Sequence, residues 1–164
     1  MRLLKQLTIQ QTCDGMKLSY DLFRRGLMMD KKYVVIIQCD LTHNRCSGFA
    51  CTHSFYKRTD KFKNYNEDVQ YISFTCGGCC GKGVSSKIEH LMKKLKNNTD
   101  IDKEEVSIHL SSCMTTDNYH ADRCPHLDYI KYIIEKKGFN NIVEGSYISK
   151  TSTQLRGEGI YNTY

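Results

Sequence analysis

The sequence predicts an α/β protein: a three-layer α/β/α sandwich around a mainly parallel sheet of about four strands. Three observations carry that prediction. Short runs rich in β-branched and aromatic residues recur at 33–37, 69–75, 106–110 and 142–143. The first is continuously apolar, as a strand covered on both faces must be. Segments of helical periodicity separate the runs, so the chain reads strand, loop, helix, strand, and right-handed crossovers are expected. Finally, the first three strands each run out at or just before a cysteine, Cys39, Cys76 and Cys113. In a parallel sheet the carboxyl ends of the strands share one edge, where ligands bind.

Residues 1–28 stand apart. Leu3, Leu4, Leu7 and Ile9 keep no period, and Asp14-Gly15 marks a turn. This segment reads as an N-terminal extension, an arm or hairpin, and its Cys13 is set aside as a ligand. An α/β domain over 29–150 follows, then a tail over 151–164 without periodicity. After the strand at 33–37 comes a cysteine-rich loop and a modest helix near 53–64, with Phe55 and Phe62 facing inward. The strand at 69–75 leads into CGGCCGKG. In the helix after it, Val84, Ile88, Leu91, Met92 and Leu95 form one apolar stripe. Ser86 and Glu89 have the spacing of a capping box. Val106, Ile108 and Leu110 alternate with Ser107 and His109 in a third strand. A polar loop over 114–124 precedes a helix that Pro125 should open. Leu127, Ile130, Ile133 and Ile134 give its buried stripe, and Gly138 its left-handed end. Ile142 and Val143 seed the fourth strand. The expected strand order is 2-1-3-4, a Rossmann-like or flavodoxin-like arrangement.

A chain of 164 residues suits one domain and buries about 70% of its unfolded surface. It therefore needs neither disulfide nor metal merely to have a core. Nine cysteines is an odd count, so complete internal pairing is impossible. Residues 1–29 lack the apolar core of a secretory signal, and no run of 18 apolar residues suggests a membrane span. The expected location is the cytoplasm, where thiols stay reduced and clustered cysteines point to metal or redox chemistry. The net charge of +6 is a weak indicator of nucleic acid. Half of it lies in residues 1–28, where Arg2, Lys5, Lys17, Arg24 and Arg25 face only Asp14 and Asp21. There is no Trp and no aromatic–basic alternation of the kind single-strand binders use. Neither nucleic acid nor a membrane is an expected partner, and nothing points to a particular protein partner.

The cysteines fall into three groups, one after each of the first three strands. Cys39, Cys46 and Cys51 are interleaved with His43 and His53. Cys76, Cys79 and Cys80 sit in the glycine-rich turn. Cys113 and Cys124 come with His120 and His126. Zinc takes four thiolate or imidazole ligands, and thiolate-rich sets also suit iron–sulfur clusters and copper(I). A helix N-terminus after Cys79 and Cys80 would stabilise thiolate, so a dithiol redox or thiol-transfer enzyme is the alternative reading. His90 and His109 read as structural. Several sharper motifs fail. A phosphate-binding P-loop needs Gly where Cys76 stands and Ser or Thr where Gly83 stands. A C-x5-R phosphate loop needs Arg at Lys82. Pro125, the only proline, is no cis-proline beside a dithiol, and the C-x2-C-x2-C ferredoxin spacing is absent.

Residues 32–146 resemble the CGGC-domain family, small cysteine-rich proteins proposed to bind metal. The resemblance rests on Ile-Ile-Gln-Cys39, Cys46-Ser-Gly-Phe-Ala-Cys51, the central Cys76-Gly-Gly-Cys79, His109-Leu-Ser-Ser-Cys113 and Cys124-Pro-His126. It implies a functional site built from Cys39, Cys46, Cys51, Cys76, Cys79, Cys113, Cys124 and His126, with zinc the implied metal and an iron–sulfur cluster the alternative cofactor. Two departures stand out. Gly145-Ser146-Tyr147 replaces a Gly-Thr-His with which the family pattern ends, and Cys80 replaces an expected proline. Cys80 or His120 could then substitute for the missing ligand. The resemblance brings no reaction with it.

Overall fold

The computed structural model describes residues 31–164; the N-terminal extension and Cys13 lie outside the described residues. Four strands, β1 (Tyr33–Gln38), β2 (Gln70–Thr75), β3 (Val106–Leu110) and β4 (Ile142–Glu144), form one sheet. All its pairings are parallel, and the order is β2-β1-β3-β4, as predicted. Val35 of β1 lies level with Ile72 on one side and Ile108 on the other. As the central strand, β1 must be apolar on both faces, and Val34 to Ile37 are all fully buried.

The helices are α1 (Phe49–Lys57), α2 (Lys82–Asn98), a single turn α3 (Ser112–Thr115), α4 (Leu127–Lys136) and α5 (Lys150–Gly157). The two sides of the sheet have separate cores. On one, Val35, Ile37, Ile108 and Leu110 pack with the stripes of α2 (Val84, Ile88, Leu91, Leu95) and α4 (Leu127, Ile130, Ile134). On the other, Val34 and Ile36 meet Phe55, Phe62, Tyr65 and Val69. The sheet is thus sandwiched between two layers, an α/β protein of three layers. No helix among the described residues is long and apolar enough to cross a membrane.

Several boundaries differ from the sequence expectation. The first helix begins at Phe49 and ends at Lys57, where the expectation was 53–64. Arg58 takes a left-handed backbone (φ 51°), as does Asp60 (φ 53°), and a short 3-10 turn, Asp60–Phe62, follows. The break is held by Arg58, whose guanidinium donates to the carbonyls of Phe55, Asn66 and Glu67. The second helix starts at Lys82 behind Gly81, so Ser86 is interior and caps nothing. Glu89 instead pairs with Lys137, the residue that caps the end of α4. A capping box does form, between Asp102 and Glu105 at the turn before β3. Pro125 lies outside α4, which His126 precedes as N-cap. The aperiodic segment after 149 contains α5, capped by the Ser149 side chain accepting from the Ser152 amide.

Candidate functional site

The parallel ladder continues one residue past the strands on both sides of β1. The Cys76 amide donates to the Gln38 carbonyl (2.8 Å), and the Ser111 amide to the Ile37 carbonyl (2.9 Å). These bonds bring the ends of β2 and β3 level with the end of β1. The two amides that follow β1 meet sulfur. Cys39 N–H donates to Cys113 Sγ at 3.4 Å, and Asp40 N–H to Cys76 Sγ at 3.5 Å. Cys39, Cys76 and Cys113 therefore do converge at one rim, as the topology required.

Other thiols join them. The Cys124 amide donates to the Met114 carbonyl (2.9 Å), tying its loop to α3. Cys124 lies near enough to Cys39, Cys76 and Cys79 for their charges to interact, and Cys113 likewise to Cys39 and Cys51. Cys51 Sγ lies 3.1 Å from Ser146 Oγ, and Cys113 Sγ lies 3.0 Å from Ser111 Oγ. Burial pushes the Cys113 thiol up to about 11 despite the Ser111 hydroxyl and the Cys39 amide. Burial raises Cys124 too, with the neighbouring cysteines adding to the effect.

The glycine-rich turn that delivers Cys76 and Cys79 depends on Gly83. A Cβ there would lie 2.8 Å from the Cys76 carbonyl and 3.0 Å from Gly77 Cα. Only glycine lets the first turn of α2 pack this closely under the loop. Above it Cys79 and Cys80 are exposed, whereas Cys76 is buried.

The remaining candidates are more peripheral. Cys46 Sγ accepts from the Gly48 amide at 3.5 Å. His126 is exposed, and its backbone N–H, not its ring, serves the Cys124 sulfur. His43 Nε2 lies 2.8 Å from Gln38 Oε1, and exposed His53 stacks on Phe49. All eight described cysteines are free thiols. No three Cys, His, Asp or Glu side chains among the described residues stand together as a ready metal cage. The donor chemistry fits a thiophilic ion, but the sulfurs are turned toward amides and hydroxyls rather than toward one shared point.

Two features of the site escaped the sequence reading. Ser111 and Ser146 supply hydroxyls to the sulfurs, although only their adjacency to Cys113 and to the end of β4 hinted at this. The second feature is a cavity of about 680 Å³ beside the thiols, with Cys46, Cys51 and Cys113 on its wall and the C-terminal Tyr164 at its border.

Neither the curated proteins nor the solved structures compared with the chain gave a match. The family model of the CGGC domain matches residues 33–147. That span runs from the first residue of β1 to just past β4 and includes every described cysteine, so this chain belongs to the CGGC domain family.

Proposed function

We propose that this protein binds a thiophilic metal ion, zinc by preference, through thiolates at the carboxyl edge of the sheet, in a reducing compartment such as the cytoplasm. Cys39, Cys76, Cys113 and Cys124 are the central donors. Cys46, Cys51, Cys79 and His126 stand on the surrounding loops as further ones. The observation that supports this reading most is the pair of consecutive amides, Cys39 and Asp40, that already donate to the sulfurs of Cys113 and Cys76. Donors aimed at sulfur stabilise thiolate charge and orient ligands, the second layer a thiolate–metal site requires. Cysteine side chains are short, and rotation about their Cα–Cβ bonds would redirect sulfurs that start this close. Bound zinc would be a structural link if four ligands closed around it, or a Lewis acid if one position stayed open.

Burial bears on the choice between metal and redox chemistry. With its titration near 11, Cys113 is protonated at neutral pH and a poor nucleophile, whereas a cation can displace the proton. The dithiol reading is favoured by one arrangement only: exposed Cys79 above buried Cys76, an accessible thiol over a protected one.

The test is elemental analysis of protein purified without oxygen, followed by cobalt substitution in the wild type and in Cys76→Ala and Cys113→Ala. The expected result is stoichiometric zinc and a tetrahedral cobalt–thiolate spectrum that both variants lose. Iron with visible absorption would replace zinc by a cluster. Protein that takes up no metal and has a single Cys79 reactive at neutral pH would establish the dithiol reading instead.

A further inference from the structure

Beyond the thiols, the cavity beside them has its own recognition chemistry. Among the described residues, three buried side-chain polar atoms have no hydrogen-bond partner: Thr42 Oγ1, His120 Nδ1 and Arg123 Nε. All three residues line this one cavity. A polar atom hidden from water without a partner costs about 1–3 kcal/mol, and three on residues that line one cavity mark a place where a ligand supplies the missing bonds. Thr42 is only 2% exposed, so its hydroxyl has little access to bulk water.

The wall is also built. Arg45 donates to the His120 carbonyl at 2.5 Å, and the His120 amide donates to Asn118 Oδ1 at 2.9 Å. The Arg123 guanidinium lies 5.0 Å over the Tyr164 ring, leaving Nε unused. Buried Asp117 accepts from the Arg123 amide and from Asn162 and Tyr164, which fastens the C-terminal tail beside the cavity. The ionic balance is positive. Lys61, Arg123 and Arg156 line the cavity with a single carboxylate, Glu144. Outside it Glu144 is engaged by Lys131, and the Arg123 Nη2 lies 3.9 Å from exposed Asp128, which leaves Nε free. Ala50, Tyr147 and Ile148 add apolar surface. About 680 Å³ is the size of a small-molecule site and far more than a bare inorganic ion fills.

We propose that this cavity binds a small carboxylate-bearing organic anion, with the carboxylate held by Arg123 Nε and His120 Nδ1, Thr42 completing the contact, and the organic body lying against the apolar wall toward Cys51 and Cys113. Arginine suits the role because its planar fork matches a carboxylate and stays charged at all working pH values. The anchoring atoms are not thiols, although Cys46, Cys51 and Cys113 of the proposed metal site share the cavity wall.

Succinate is the probe, titrated into the full chain by calorimetry and by NMR of the arginine Nε–Hε signals. Its neutral analogue succinamide and inorganic phosphate are the comparisons. Succinate should bind saturably at one site, at least about tenfold more tightly than either, and should shift the Arg123 Nε–Hε signal. Arg123→Gln should weaken it at least about tenfold, equivalent to about 1.4 kcal/mol. His120→Gln, which leaves the tail anchor intact, should weaken it about threefold. Equal binding of succinate and succinamide would overturn the proposal. So would phosphate binding as tightly as succinate, succinate shifting only surface lysine signals, or affinity unchanged in both variants.

Discussion

Tyr65→Phe should destabilise the protein far more than the loss of one oxygen suggests. The hydroxyl sits in a buried relay across the far core. His109 Nδ1 lies 2.9 Å from the Gly145 carbonyl, so Nδ1 carries the proton and donates. That makes His109 Nε2 an acceptor, and the Tyr65 hydroxyl at 2.8 Å must donate to it. The Tyr65 oxygen then accepts from Ser107 Oγ at 2.5 Å. Ser107 and His109 are both fully buried. Phenylalanine would keep the ring packing and strand the imidazole nitrogen and the serine hydroxyl together. At about 1–3 kcal/mol for each of the two buried groups left unmade, the cost is about 2–6 kcal/mol, or a drop of roughly 4–24 °C in the melting midpoint for a chain of this size. Differential scanning calorimetry at pH 7.5 measures it. A midpoint within about 2 °C of wild type would refute the relay. The same relay fixes the acid limb. Desolvation holds His109 down to about 4, whereas an unfolded histidine titrates near 6.5. The unfolded chain therefore binds a proton across this window that the fold refuses. Stability is level above about pH 6.5 and falls as pH drops toward 4, by up to about 3 kcal/mol. Replacing His109 by Gln should flatten that limb.

Three further outcomes follow from the site. Ser111→Ala removes the hydroxyl at Cys113 Sγ and should weaken zinc binding about tenfold or more in a competition titration with a chelator, whereas exposed Cys80→Ser should leave it unchanged. Gly83→Ala forces a methyl against the Cys76 carbonyl; it should cost about 1–3 kcal/mol in denaturant unfolding and weaken zinc binding as well. Asp117→Ala removes the acceptor of the C-terminal tail and should cost about 3 kcal/mol, read out as faster tryptic cleavage after Arg156.

Strand identity and order were readable because β1 is apolar without interruption and the stripes of α2 and α4 are strict. The first helix was misjudged because its end depends on Arg58 reaching the carbonyls of Asn66 and Glu67, contacts no local pattern announces. The Ser86–Glu89 spacing misled because the preceding Gly81 starts the helix earlier. Helix α5 was invisible because its stripe is weak; only Ser152 in it is buried.

By itself the chain determined that three strand-ending cysteines share a rim, since parallel strands direct every carboxyl end to the same side. Only the tertiary structure decided which donor each sulfur meets, and that Thr42, His120 and Arg123 surround one cavity with unmet hydrogen-bonding capacity. Those relations join residues as many as eighty positions apart in the chain. They depend on strand register and side-chain packing, to which periodicity along a single segment is blind.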